Sequence, residues 1–396
     1  MITRRKVVAG SAGALLLAAM ADRYAFGAEA SADEPLIALP GKRPLIKRTF
    51  RPPNYETPLA ALRPQFTAND TFFVRYHLAS IPEVDARTWR LRIGGASAKR
   101  PLELSLDELK RDFERVRLAA VNQCSGNRRG LFAPRAGGVQ WTYGAMGNAL
   151  WGGVRLRDVL NRAGVNADAL EVVVDGADGA ALPGTPDFVK SLPVDRALDA
   201  DTLIAFEMNG EPLPHWNGAP ARLVVPGWTA TYWVKHLTSI NIEPQAFDGF
   251  WMKSAYRIPT GAFPGARFAS QENAQTTPIT EILVNSLVTS HVNGDRIARG
   301  RPADLVGWAW DGGSGISTVE ISLDEGNSWR PAKLGATPSS YSWRGFRAAL
   351  DTSKPGSLRI AVRATGRNGA RQPEKLTPNP SGYHHNIIQT LMLEVA

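Results

Sequence analysis

Near residue 260 the hydrophobic pattern of this chain changes period, and that change constrains the fold more than any single motif does. A Gly- and Pro-containing stretch runs from Thr260 to Pro278. Beyond it Val319, Ile321 and Leu323 alternate with Glu320 and Ser322, and Glu325-Gly326-Asn327 marks a turn. Leu358, Ile360 and Val362 then alternate with Arg359, Ala361 and Arg363. Successive strand side chains point to opposite faces, so period-two spacing broken by frequent turns predicts half-buried strands. Residues 279–396 are expected to form a β-sandwich of immunoglobulin-like size, joined to what precedes it by a linker at 261–278.

The pattern before the linker is mixed. Leu170-Glu171-Val172-Val173-Val174 and Leu203-Ile204-Ala205-Phe206 are strand-like, and Asn209-Gly210 predicts a tight turn between extended segments. Ser105-Leu106-Asp107-Glu108 is a capping box that should open a helix running to about Glu114, and Arg155 to Ala163 predicts a second helix closed by Gly164. Residues 64–260 therefore read as an α+β domain with a mixed sheet. Residues 31–63, rich in proline and basic side chains, are expected to wrap its surface as an extended arm. At 396 residues and 43% apolar content the chain exceeds the usual size of one domain, in keeping with two.

Met1 to Ala30 differ from the rest. Arg4-Arg5-Lys6 precedes a mild apolar run from Val7 to Met20, and Ala28-Glu29-Ala30 supplies a small-x-small cleavage pattern. This is the expectation for a twin-arginine signal peptide, which exports folded proteins, and it predicts a periplasmic protein. The apolar run is shorter than the roughly 20 residues that span a bilayer, so no membrane anchor is expected. Without the four basic and two acidic side chains of this segment, the formal charge falls from +9 to about +7. Such an excess suits a small anion or an acidic protein partner. Nucleic acid is not expected, because no lysine-rich tract is interleaved with aromatics.

The chain has one cysteine, Cys124, so an exported protein of this kind is not stapled by disulfides. A lone cysteine is commonly a small core residue. Here it sits in Val121-Asn122-Gln123-Cys124-Ser125-Gly126-Asn127-Arg128-Arg129-Gly130, where Ser125-Gly126-Asn127 allows a sharp turn and Arg128 and Arg129 supply charge that favours a thiolate and an anion nearby. A thiolate is a soft ligand suited to a transition metal. A nucleophilic cysteine would need a partnered histidine, and His77, His215 and His236 are all candidates. The pair His384-His385 hints at metal, but adjacent strand residues face opposite ways, so an exposed loop is expected there.

Several ordered segments resemble the sulfite oxidase family. They are Phe72-Phe73-Val74-Arg75-Tyr76-His77-Leu78, the Cys-Ser-Gly-Asn-Arg-Arg run at 124–129, Trp141-Thr142-Tyr143-Gly144-Ala145-Met146, Glu207 to Pro214, Ala221 to Gly227 and Trp233-Val234-Lys235. The resemblance implies a mixed-sheet, sulfite-oxidase-type molybdopterin domain followed by a dimerisation-type β-sandwich. It implies a molybdenum–pyranopterin (molybdopterin) cofactor with Cys124 as the protein's metal ligand. Phe73, Val74, Arg75, Tyr76 and His77 would line the cofactor, and Asp178, Asn217, Arg222, Trp233, Val234 and Lys235 would help to bind it. Arg75, His77, Arg129 and Tyr256, the last in Ser254-Ala255-Tyr256-Arg257, would act on the substrate. Two positions depart from the vertebrate pattern: Asn217 stands in place of a histidine and Ser381 in place of a substrate-pocket arginine.

By the same resemblance the reaction is oxygen-atom transfer converting sulfite to sulfate. The chain has no Cys-x-x-Cys-His haem attachment site, so the electrons are expected to pass to an external c-type cytochrome, with the protein a homodimer or a heteromer with that partner. The alternatives are the molybdenum subunit of a sulfane dehydrogenase complex, a methionine sulfoxide reductase, and a basic periplasmic binding module without metal.

Overall fold

The computed structural model describes residues 35–180 and 182–396. The proposed signal peptide at 1–30 lies outside them. The architecture is mostly β with few helices, organised around one core in the first part of the chain and a second in the last.

The segment expected as a surface arm supplies strands. Leu36–Ile37, Leu45–Thr49 and Asn54–Glu56 pair in sequence order with Val74–Arg75 as an antiparallel sheet. Its apolar side closes Leu45, Tyr55, Val74 and Tyr76 into a cluster of their own. Burial here extends to a charge: the Glu56 carboxylate pairs with Arg48 at 2.6 Å and accepts from the backbone N–H of Thr142 at 3.0 Å and of Gly144 at 2.7 Å. A buried carboxylate is tolerated only when so satisfied. In being satisfied, it fixes the loop that faces Cys124.

Two sheets form the body of the first domain. One runs Lys190–Pro193, Glu171–Gly176, Leu237–Glu243, Arg90–Gly94, Leu102–Ser105, and is mixed because Leu237–Glu243 lies parallel to Arg90–Gly94 and antiparallel to Glu171–Gly176. The other joins Arg115–Gln123, Met146–Arg155 and Leu203–Met208, with Arg222–Val224 at the far side. Asn209 and Gly210 have φ of 55° and 83°, as a type I′ hairpin turn requires. The capping box at Ser105 is formed in both directions, but its helix, Leu106–Asp112, stops short of Glu114 because Phe113 is extended at φ −129°. Helix Leu156–Ala163 ends at Gly164, whose φ of 74° an L side chain rarely adopts.

The second part is a two-sheet sandwich. Asn285–Val288, Ala303–Trp310, Arg344–Leu350 and Lys333–Leu334 face Arg296–Ile297, Gln389–Val395, Gly356–Gly366, Ile316–Ser322 and Arg330–Pro331. Val319, Ile321, Ile360 and Val362 point into the space between them, as the alternation predicted. Each such aliphatic side chain contributes about 1.5–3 kcal/mol when fully buried.

Val121, Met146 and Leu62 of the first part pack with Ile282, Leu287, Trp310 and Trp343 of the second. Arg128 is locked into this junction, 1% exposed, donating to Asn285 Oδ1 at 2.7 Å and to the Ser286 carbonyl at 2.6 Å, with its guanidinium over the Tyr143 ring. The sequence reading placed this charge beside the thiol. Instead Arg128, in the left-handed region at φ 67°, points into the contact between the two halves. Removing Arg128 would leave neutral acceptors buried without their donor, at about 1–3 kcal/mol each. Arg128→Ala should therefore lower the unfolding free energy by about 3 kcal/mol in a denaturant titration; an unchanged midpoint would show that Arg128 does not hold the halves together.

Candidate active site around Cys124

Cys124 follows directly on strand Arg115–Gln123. Its N–H donates to Ala145 O at 2.9 Å and its carbonyl accepts from Asn127 N at 2.9 Å; Arg128 N donates to Thr142 O and Gly130 N to Trp141 O, both at 2.8 Å. The cysteine loop is thus stitched along the 141–145 loop that Glu56 anchors. A Cβ at Gly126 would lie 2.5 Å from Arg129 Nη1, so only glycine lets that arginine fold back over the turn.

The thiol lies in the wall shared by two cavities. The first, about 630 Å³ of empty space that is partly open to solvent, brings together Phe73, Arg75, Tyr76, His77, Asp178, Asn217, Arg222, Trp233, Lys235 and Tyr256. Of the expected cofactor residues, Val74 and Val234 do not line it: both side chains are buried in apolar clusters. The second cavity, about 770 Å³ of empty space, is lined by Arg75, Cys124 and Tyr256 again, now with Arg129, Trp251, Ser381 and Tyr383.

The first cavity concentrates positive charge. Lys235 Nζ donates to the Arg75 carbonyl at 2.7 Å and lies 2.9 Å from the Tyr76 ring centroid. Arg222 donates to the carbonyls of Asn217 and Trp233, each at 2.9 Å, and its Nε has no partner. Burial pulls the Arg222 guanidinium down to about 9 and drives Lys235 well below its ordinary value, with Arg222 adding to the effect. Burial raises Asp178 to about 6 against the opposing pull of Lys235. Asn217 is held by Lys42, whose ammonium reaches its Oδ1 at 2.8 Å.

At the other end His77 lies flat on Phe188, ring centroids 3.5 Å apart, and its Nε2 is hydrogen-bonded to the Tyr256 hydroxyl. Burial, followed by the charge of Arg75, keeps this imidazole neutral. Arg75 is neither exposed nor unpartnered: Nη1 donates to Asn54 Oδ1 at 3.1 Å and Nη2 to the Tyr256 oxygen at 3.3 Å. Of the other candidate histidines, His236 is bound to Tyr76 at 2.7 Å and to Ala219 O at 2.6 Å, and neither it nor His215 lines either of these two cavities.

The pair His384-His385 is a correction. Both rings are buried, at 9% and 6% exposure, against Phe263 and Phe132 respectively, and burial lowers each to about 3. The expectation of an exposed loop failed because the 379–388 segment tucks between the two halves of the molecule. Sequence reasoning also missed Lys42, Phe188 and Tyr383. Lys42 sits in the Pro-rich stretch with no local pattern to mark it, and the other two gain meaning only when distant segments meet.

Among the described residues no three His, Cys, Asp or Glu side chains gather into a metal cluster. A metal at Cys124 therefore needs most of its ligands from a cofactor. The residues present fit a molybdenum–pyranopterin group: one buried thiol for the metal, buried Lys235 and Arg222 for a phosphate, and Asp178 for a donor-rich ring. Unpartnered buried polar atoms on Asn122, Ser125, Thr231 and Arg222 line the same cavity, as expected of a site built to be filled by a polar group.

Comparison with known proteins agrees. Residues 77–251 match the model of the oxidoreductase molybdopterin binding domain, and residues 276–394 that of the Mo-co oxidoreductase dimerisation domain. Human mitochondrial sulfite oxidase is 33% identical over 355 residues, 86% of this chain and 63% of its own length, so the chain spans under two thirds of that relative. Chicken sulfite oxidase is 33% identical over 88% of this chain and 77% of its own length. NADH nitrate reductase 1 of rice is 31% identical over 89% of the chain but 40% of its own length. Among solved structures, the sulfane dehydrogenase SoxCD of Paracoccus pantotrophus superposes with a TM-score of 0.73 at 26% identity, covering 94% of this chain and 96% of that one.

Proposed function

We propose, for a chain that belongs to the sulfite oxidase family of molybdopterin oxidoreductases, that it oxidises sulfite to sulfate and passes the two electrons to an external c-type cytochrome. The observation that carries this reading is the position of Cys124 between a cavity cationic enough for a pterin phosphate and a second one lined by Arg75 and Arg129, whose charge suits a small anion. When bound, the molybdenum–pyranopterin group supplies oxygen-atom transfer and the two-electron redox change. The chain supplies the rest. Cys124 ligates the metal. Arg75 and Arg129 offset the charge of the sulfite dianion, and both stay in place because protein acceptors hold them. Tyr256 presents its hydroxyl to the substrate side while the neutral His77 ring keeps a proton within reach of that oxygen. Phe73, Trp233 and Phe188 narrow the site and limit water. The net change is sulfite plus water to sulfate, two protons and two electrons.

Export to the periplasm by the twin-arginine route completes the proposal, supported by Arg4-Arg5 ahead of a mild apolar run. Among the described residues no helix is long and apolar enough to cross a membrane. A second reading, oxidation of sulfane sulfur within a complex, is favoured by the SoxCD superposition.

Native protein from a periplasmic fraction should contain one molybdenum and one pterin per chain and reduce cytochrome c or ferricyanide when sulfite is added. Absence of the metal would sink the enzyme reading. Metal with no sulfite turnover, but turnover of protein-bound sulfane sulfur, would replace the first reading by the second.

A further inference from the structure

Tyr383 comes from the sandwich half of the chain, yet it forms part of the second cavity together with Arg75, Cys124 and Tyr256. Its ring lies nearly parallel to that of Tyr256, at 13° and 5.7 Å between centroids, and on its other contact the Arg129 guanidinium sits 5.0 Å from the ring centre. Its backbone is fixed by Asn379, which donates to the Tyr383 carbonyl at 2.8 Å and accepts from its N–H at 3.0 Å. The residue is 8% exposed, and the hydrogen bonds that fix it are made by its backbone and not by its hydroxyl.

The same segment sets the course of Arg129. The Ser381 carbonyl accepts from Arg129 Nε at 2.8 Å, and Val139 O accepts from Nη1 at 3.2 Å. A Cβ at Gly138 or Gly382 would meet the Arg129 side chain at 3.1 Å or 2.9 Å, so this groove needs glycine on both walls. The guanidinium is left with Nη2 to spend on a ligand. With serine at 381, the loop contributes no cation of its own.

We propose that Tyr383 is a substrate-binding residue of this site: its hydroxyl donates to an oxygen of the bound oxyanion beside Arg75 and Arg129, while its ring holds Arg129 in register. This rests on the sulfite reading of the same cavity. It makes the second domain a functional part of the active site, because the donor and the carbonyl that aims Arg129 both come from residues 379–383. A neutral hydroxyl on a charged oxygen is worth about a tenfold change in affinity.

The test is Tyr383→Phe in the molybdenum-loaded enzyme, which keeps the ring and deletes only the donor. The Michaelis constant for sulfite and the dissociation constant of sulfate, followed by isothermal calorimetry, should both rise about tenfold, with turnover at saturation and molybdenum content near those of the parent. Tyr383→Leu, which also removes the ring beneath Arg129, should weaken both further. Unchanged constants for sulfate and sulfite in Tyr383→Phe would overturn the proposal. Failure of the parent enzyme to oxidise sulfite would count against the functional reading alone, since the calorimetric comparison with sulfate still reports whether Tyr383 holds an oxyanion.

Discussion

Cys124→Ser is expected to leave a folded protein whose sulfite oxidation has fallen by well over a hundredfold. The side chain is 6% exposed and joins the main core at the cavity wall, and the exchange of sulfur for oxygen changes little volume. The backbone bonds that shape the loop, from Cys124 N to Ala145 O and from Asn127 N to Cys124 O, are untouched by it. A new hydroxyl facing a polar cavity should cost no more than about 1–3 kcal/mol. At the metal the exchange is severe, because a hard neutral hydroxyl replaces a soft thiolate. Changes to groups that merely support a metal ligand cost about 10–100-fold, so replacing the ligand itself should exceed that. The check is sulfite turnover per chain together with the Mo(V) electron paramagnetic resonance spectrum. Near-parent turnover with an unaltered spectrum would eliminate Cys124 as the ligand.

The cysteine was legible because its neighbours are unusual in a chain with no other cysteine, and the sandwich because its period-two pattern is unbroken by tertiary effects. Arg128 and Arg129 show where local reading stops. Adjacent in sequence, they diverge because Arg128 adopts φ 67° and turns into the junction with Asn285, while Arg129 turns back through the glycine groove to Ser381. Nothing in a run of two arginines distinguishes these outcomes. His384 and His385 failed for a related reason: strand alternation says which faces they point to, but not that both faces are covered. The residues that align the cavity cations, Asn54, Lys42 and Asn217, are scattered over more than 160 positions and meet only through the fold. The family resemblance named Asn217 without a partner, and the partner lies in a stretch whose composition suggests only an extended arm.

Arg75→Gln should raise the Michaelis constant for sulfite by roughly ten- to a hundredfold, taking about 1.5–3 kcal/mol for a charge-assisted contact and a factor of ten per 1.4 kcal/mol. The glutamine amide can reach Asn54 or Tyr256 but does not replace both bonds that the guanidinium makes, so Tyr256, still bonded to His77 and stacked on Tyr383, should be held less firmly, and part of the loss should fall on turnover. Cofactor retention should survive, because it is the backbone carbonyl of Arg75, not its side chain, that accepts from Lys235. The pH profile adds an independent sign. His77 is held far below its ordinary value by burial first and by the Arg75 charge second, and deleting that charge lets the imidazole keep its proton to higher pH. The acid limb of the turnover profile should therefore move toward neutrality in the variant, and not away from it. Full molybdenum occupancy with parent-like kinetic constants and an unmoved acid limb would show that Arg75 faces neither the substrate nor His77.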